Sequence, residues 1–260
     1  MKSILLAFLV AGLHLNAIIF ETERFAELAS HVDEETLVLL DIDDTLLHTA
    51  QMLGSDEWFS SRINQYKEEG LSTQESLEKT LAEWEGIRHL TKMVAVEPGA
   101  NQVLAALQEN GVSIIGLTAQ ELSLSTRTMK QLRANGFDLS LTAICTEPHC
   151  ISVNGRNILY RNGIIFTSGS SKAQALFAIC REIGYTPKRL LLVDDKESHL
   201  KDVEQAAQER GIEFIGLRYG YADSKKEAYC PRIAHIQLTQ SSLTRLLSDD
   251  EARAILESAD

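Results

Sequence analysis

Five carboxylates stand at the ends of two apolar runs: Leu37-Val38-Leu39-Leu40 leads into Asp41-Ile42-Asp43-Asp44-Thr45, and Leu190-Leu191-Leu192-Val193 leads into Asp194-Asp195. Asp41 and Asp43, two residues apart on extended backbone, point the same way. Like charges crowded together repel unless something cationic joins them. A hard divalent cation held by oxygen ligands is the natural partner, and Mg²⁺ is the commonest choice. A helix cap following a strand would also use Asp and Thr. One capping Asp needs no other explanation, but a pair flanking a hydrophobe and followed by Asp-Thr does.

Such residues must be positioned, and the apolar runs show how. An uncharged run of Leu and Val reads as a strand buried on both faces of a parallel sheet. In an open parallel sheet the working crevice lies outside the carboxyl ends of the strands. The expected fold class is therefore α/β, a doubly wound parallel sheet. Val112 to Leu117 supplies another strand, ending in Thr118-Ala119-Gln120, and Glu213 to Leu217 a last one. Thr142 to Cys145 is read as a third strand, and Ile151 to Phe166 as a hairpin-like excursion with Asn-Gly turns near the active face. Helices are expected from Glu21 to Ser30, after Pro98-Gly99 to Glu109, from Leu124 to Ala134, from Lys172 to Ile183 and from Leu243 to Ser258. Residues 49–96 show helical periods without strand-like alternation, and Ser72-Thr73-Gln74-Glu75 has the form of a capping box. An all-helical insertion directly after the first acidic strand is too long for an ordinary loop. Within it Trp58, Phe59, Arg62, Trp84, Arg88 and His89 are the side chains placed to reach a ligand, although for each alone helix packing or solvation is the ordinary role.

Asp41-Ile42-Asp43-Asp44-Thr45 resembles the first motif, Asp-x-Asp-x-Thr, of the haloacid dehalogenase-like hydrolases. Thr118 resembles the second motif, Lys172 the third and Asp194-Asp195 the fourth, in the family's order and between about Leu37 and Leu217. The resemblance implies a Rossmann-like core over residues 18–48 and 97–260 with residues 49–96 as a small helical cap. It further implies a Mg²⁺-dependent phosphatase working through an aspartyl-phosphate. Asp41 would be the nucleophile and Asp43 the general acid and base. Thr118 and Lys172 would hold the phosphoryl oxygens. Asp41, the main-chain carbonyl of Asp43, Asp194 and Asp195 would hold the metal. Ser198 and His199 stand where many relatives carry another acidic residue or Asn, and His199 is read as lying behind the ligands or at the surface. Two other readings use similar residues. A signalling receiver domain is much shorter and lacks the insertion. A phosphatase-like protein that binds a ligand or partner without turnover is the other, and it is disfavoured because this chain lacks none of the motif residues.

Composition narrows the partners. With 25 Lys+Arg against 37 Asp+Glu, a net charge of -12, the chain lacks the basic surface that a nucleic-acid backbone requires. A small phosphorylated metabolite needs only one positive pocket, and it is the expected partner. Lys2 before the apolar run Ile4 to Leu13, then Leu15-Asn16-Ala17, has the form of a signal peptide over residues 1–17, with a buried N-terminal helix as the alternative. Export is the expected localisation, with no transmembrane anchor in the mature chain. The four cysteines, Cys145, Cys150, Cys180 and Cys230, form no Cys-x-x-Cys pair. Cys145 and Cys150 are close enough in sequence to bridge a turn in an exported protein, or to stay reduced near a strand end.

Overall fold

The structure, a computed structural model, describes residues 17–242 and 244–259. The leader expected over residues 1–17 lies outside the described residues, apart from Ala17.

The chain opens with strand β1 (Ala17–Thr22), a 3₁₀ turn at Phe25–His31 and strand β2 (Thr36–Leu40). The short strand β3 (Leu47–Thr49) leads to helices α1 (Asp56–Glu68) and α2 (Thr73–Leu90), and β4 (Met93–Ala95) returns antiparallel to β3. Next come α3 (Ala100–Glu109), β5 (Ser113–Thr118) and α4 (Ser125–Ala134). Strands β6 (His149–Val153), β7 (Arg156–Arg161) and β8 (Ile164–Phe166) precede α5 (Lys172–Ile183), β9 (Arg189–Asp194), α6 (Glu197–Gln208) and β10 (Glu213–Tyr219). Three helices close the chain: α7 (Asp223–Glu227), α8 (Pro231–Gln240) and α9 (Asp249–Ala259).

Eight strands form one sheet in the order β1-β10-β9-β2-β5-β8-β7-β6. From β1 to β8 every neighbour is parallel, and β8-β7-β6 is antiparallel. The fold is α/β, with helices on both faces. The physical reason is visible in β2, whose Leu37, Val38, Leu39 and Leu40 are all fully buried. Val38 and Leu40 join Leu191 and Val193 in the core on one face, while Leu37 and Leu39 join Leu190 and Leu192 in the core on the other. Alternate side chains feed opposite layers, so a strand with no polar face must be covered twice.

Several expectations are corrected. No strand forms at Thr142 to Cys145, because the place beside β5 belongs to β8, paired Gly116 to Ile164 through Thr118 to Phe166. Thr142 only caps the beginning of that strand, its carbonyl accepting from Ile114 N at 3.3 Å. The expected excursion at Ile151–Phe166 is the antiparallel end of the main sheet. Its Asn154-Gly155 and Asn162-Gly163 turns have positive φ at both residues, as the tight hairpin type requires. The closing helix begins at Asp249 because Ser248 and Glu251 cap it: Glu251 N donates to Ser248 Oγ at 3.2 Å and Ser248 N to Glu251 Oε2 at 2.8 Å. Residues Ala17–Thr22, part of which was read as helix, form β1 instead, paired along β10. Helices α7 and α8 had no counterpart in the sequence reading.

The β3–β4 pair makes a two-stranded stem, and α1 and α2 hang from it. The expected capping box is present at the start of α2, with Ser72 and Glu75 each bonded to the other's backbone. A third apolar cluster ties this insertion to the end of the chain: Met52, Leu53, Trp58, Trp84 and Ile87 pack with Ile233, Ala234 and Ala252. Leu53 N donates to Gln237 Oε1 at 2.9 Å and Met52 N to Asp249 Oδ1 at 3.0 Å.

Candidate active site

Register brings the two acidic strand ends together. Leu40 lies opposite Val193 in the β2–β9 ladder, and Asp41 N donates to Val193 O at 3.0 Å, so the next residue on each strand is a carboxylate. Asp41, Asp194 and Asp195, all buried, each place an oxygen within 4.8 Å of the others, and they are the group of this kind among the described residues. Lys172, from the first turn of α5, enters the cluster fully buried. Its Nζ donates to Asp41 Oδ1 at 2.5 Å and to Asp194 Oδ2 at 2.6 Å. His199 Nδ1 lies 3.0 Å from Asp194 Oδ1, and His199 also lines the cavity that opens onto the cluster. Lys226, from α7, donates to Asp195 Oδ2 at 2.9 Å.

Three buried carboxylates about one buried ammonium leave excess negative charge. Burial, with Asp194 and Asp195 beside it, pushes the Asp41 carboxyl well above the usual range against the pull of Lys172. Burial opposes ionisation of Asp194 as well, but Lys172 and His199 outweigh it and hold that group at about 2. Asp195 Oδ1 is buried and, among the described residues, accepts no hydrogen bond. An oxygen-lined cluster short of positive charge, with a lone pair unmet, fits a hard divalent cation.

Asp43 stands outside that triad. The chain turns sharply after β2, with Leu46 N and Leu47 N both donating to Ile42 O and Asp44 in the left-handed region at φ 58°. Both Asp43 oxygens are engaged: Arg88 of α2 donates to Oδ1 at 2.5 Å and Gln120 Nε2 to Oδ2 at 2.7 Å. Gln120 is itself fixed by Thr128, whose hydroxyl donates to Oε1 at 2.5 Å. Thr118 is buried at the end of β5 and accepts from Gln120 N at 3.2 Å.

A cavity of about 450 Å³ opens onto this group. Asp41, Asp43, Thr118 and Gln120 line it from the sheet, and Phe59, Leu77, Leu81 and Trp84 line it from the helical insertion. Of the insertion side chains singled out, Phe59 and Trp84 face the cavity, and Arg88 reaches Asp43. Trp58 packs into the third core cluster, Arg62 pairs with Glu83 at 2.7 Å, and His89 is exposed. Solvation, the ordinary role for an insertion Arg, does not hold for Arg88, which is 4% exposed. Its charge is held between Asp43 and the face of Trp84, 4.8 Å from the ring centroid. Gln120 and Lys226 were not singled out in the sequence. Gln120 had a usable signal in its place two residues after Thr118, whereas Lys226 had none. All four cysteines are unpaired.

The family model described as "Protein of unknown function (DUF2608)" matches residues 21–253, and the chain belongs to that family. Among curated relatives, a candidate outer membrane protein of Chlamydia pneumoniae is 25% identical over 252 residues, covering 93% of this chain and 91% of that one. A second from the same organism is 25% identical over 239 residues, covering 91% and 89%. Among solved structures, a hydrolase from Pseudomonas syringae overlays at TM-score 0.41 with 18% identity, over 74% of this chain and 88% of that one. A haloacid dehalogenase-like hydrolase from Streptococcus pneumoniae overlays at 0.43 with 12% identity, over 70% and 93%. Likenesses this distant do not bear on activity.

Proposed function

We propose that this protein is a phosphomonoester hydrolase of the haloacid dehalogenase-like type, acting on a small phosphorylated metabolite. One observation carries the reading: Asp41 and Asp194–Asp195 converge at the ends of adjacent strands around Lys172, with Asp195 Oδ1 left without a hydrogen-bond partner among the described residues.

Asp41 Oδ1 accepts from Lys172, which leaves Oδ2 to attack phosphorus in line and form an aspartyl-phosphate. The P–O bond to the alcohol breaks, and Asp43 gives that oxygen its proton. Asp43 then takes a proton from the water that attacks the phosphoryl group, releasing orthophosphate and restoring Asp41. Arg88 and Gln120 orient the ionised Asp43 that takes the water's proton, and one of them must release its oxygen while Asp43 carries the proton it donates. Lys172 neutralises and Thr118 orients the phosphoryl oxygens. Asp41, Asp194 and Asp195, with the main-chain carbonyl of Asp43, would hold Mg²⁺. When bound, it supplies positive charge where a carboxylate and a phosphate dianion repel.

Export is part of the same proposal. Lys2 followed by the apolar run Ile4 to Leu13 supports it, as do the names of the chlamydial relatives. Among the described residues no helix is long and apolar enough to cross a membrane. N-terminal sequencing of protein from fractionated cells should find the chain starting near residue 18, and an intact Met1 would refute the leader. For the activity, release of phosphate from an aryl phosphate should require Mg²⁺, stop with EDTA and vanish in Asp41→Asn. A wild-type chain inert on a broad phosphate panel with Mg²⁺ present would overturn the reading.

A further inference from the structure

The side of the cavity built by the helical insertion is made of side chains that hydrolysis does not need. On α2, Leu77, Leu81 and Trp84 follow one another at i, i+4 and i+7, a single stripe along one helix face. A stripe of that spacing ordinarily packs into a core. Here Leu77 and Leu81 are only half-buried, and both line the cavity with Trp84. Phe59 of α1 closes the same wall, edge-on to Trp84 at 5.9 Å between ring centroids. Four residues after Trp84 the helix delivers Arg88 to Asp43, so the apolar wall is held in fixed register with the chemistry. At 1.5 Å per residue the stripe from Leu77 to Trp84 is about 10 Å long. That length accepts a ring and a short linker. Charged side chains line the cavity elsewhere, with Asp56 and Lys196 paired to each other, Arg156 donating to Ser168 O at 2.7 Å, and Glu121 also at the lining, but the wall of Phe59, Leu77, Leu81 and Trp84 carries no charge. The Trp84 Nε1–H is buried without an acceptor among the described residues.

We propose that the site selects phosphomonoesters whose alcohol carries an aromatic or comparably apolar group, seated against Phe59, Leu77, Leu81 and Trp84. This rests on the phosphohydrolase reading, because the phosphoryl end sets the pose. The bond broken is still P–O, and the apolar alcohol leaves with the proton from Asp43.

The test uses the full chain with Mg²⁺ and two esters with primary alkoxide leaving groups, 2-phenylethyl phosphate and glycerol 1-phosphate, so that leaving-group chemistry is matched. The expected kcat/KM ratio favours the phenylethyl ester by roughly tenfold or more, chiefly through KM. Phe59→Ala and Leu81→Ala should each narrow that ratio by about fivefold. A binding measurement guards against loss of turnover. The chain has two tryptophans, so Trp58→Phe isolates Trp84, whose emission 2-phenylethylphosphonate should perturb at lower concentration than ethylphosphonate does. Wild type, in which both tryptophans report, provides the same comparison should that variant fold poorly. Equal kcat/KM for the two esters, with ratios unmoved by both variants, overturns the proposal and leaves the phosphatase reading standing. If neither these esters nor any of the broad phosphate panel is hydrolysed, the phosphatase reading fails. The phosphonates then decide the pocket alone, and equal affinity for both would overturn the apolar seat.

Discussion

The two linings of the cavity are built on different principles. At the strand ends each charged group, buried or part-buried, is held by at least one other polar side chain: Lys172 by Asp41 and Asp194, Asp195 by Lys226, Asp43 by Arg88 and Gln120. Main-chain hydrogen bonds of the parallel ladder fix the spacing of these residues to within a side chain's reach. At the helical end the lining is half-buried Phe59, Leu77 and Leu81, and shape alone positions them. The difference teaches which end tolerates change. A buried charged network is undone by removing its shared cation, while an apolar wall loses affinity in proportion to the area deleted.

Substitutions sharpen or break that contrast. The largest effect is expected from Asp41→Asn, a loss of roughly 10⁴-fold or more in kcat/KM against an aryl phosphate. Thermal stability should be unchanged or higher, because one of three crowded carboxylates becomes neutral. Lys172→Met should lower unfolding free energy by about 3–5 kcal/mol in urea titrations, since two buried carboxylates lose their shared cation. Added Mg²⁺ should recover part of that loss, and full stability without metal would show the strand-end network to be less coupled than its geometry. Arg88→Ala sits between the two ends, and its kcat should fall by up to about 10²-fold as Asp43 loses its orientation. Arg88→Lys should recover only part of it, because an ammonium lacks the planar fork. The smallest effect is expected from Ser72→Ala, which removes the capping box of α2 for about 1 kcal/mol of stability with little change in turnover. A large drop in turnover there would mean that the helical end is as finely tuned as the strand end.

The strand end was legible in the sequence because its signals are local. An apolar run that stops in paired aspartates states both a buried strand and its chemical tip, and β2, β5 and β9 lie where those runs predicted. Lys172 was legible through its place at a helix start. The helical end was not. Trp58 and Phe59 are neighbours with the same character, yet one packs into a core cluster and the other lines the cavity, a choice settled by how α1 rolls against its partners. Arg88 looked like a solvated surface residue because its partner lies 45 positions upstream. The false strand at Thr142 to Cys145 failed for a similar reason. Its local composition suits a strand, but β8 claims the neighbouring ladder.

The last helices bear on how freely the helical insertion can move. Backbone amides at Met52 and Leu53, just beyond the stem, are latched by Asp249 and Gln237, nearly two hundred residues later in the chain. Any swing of the helical insertion about that stem would unfasten the tail in the same event, so under the proposed activity the last helices would help set how fast product escapes.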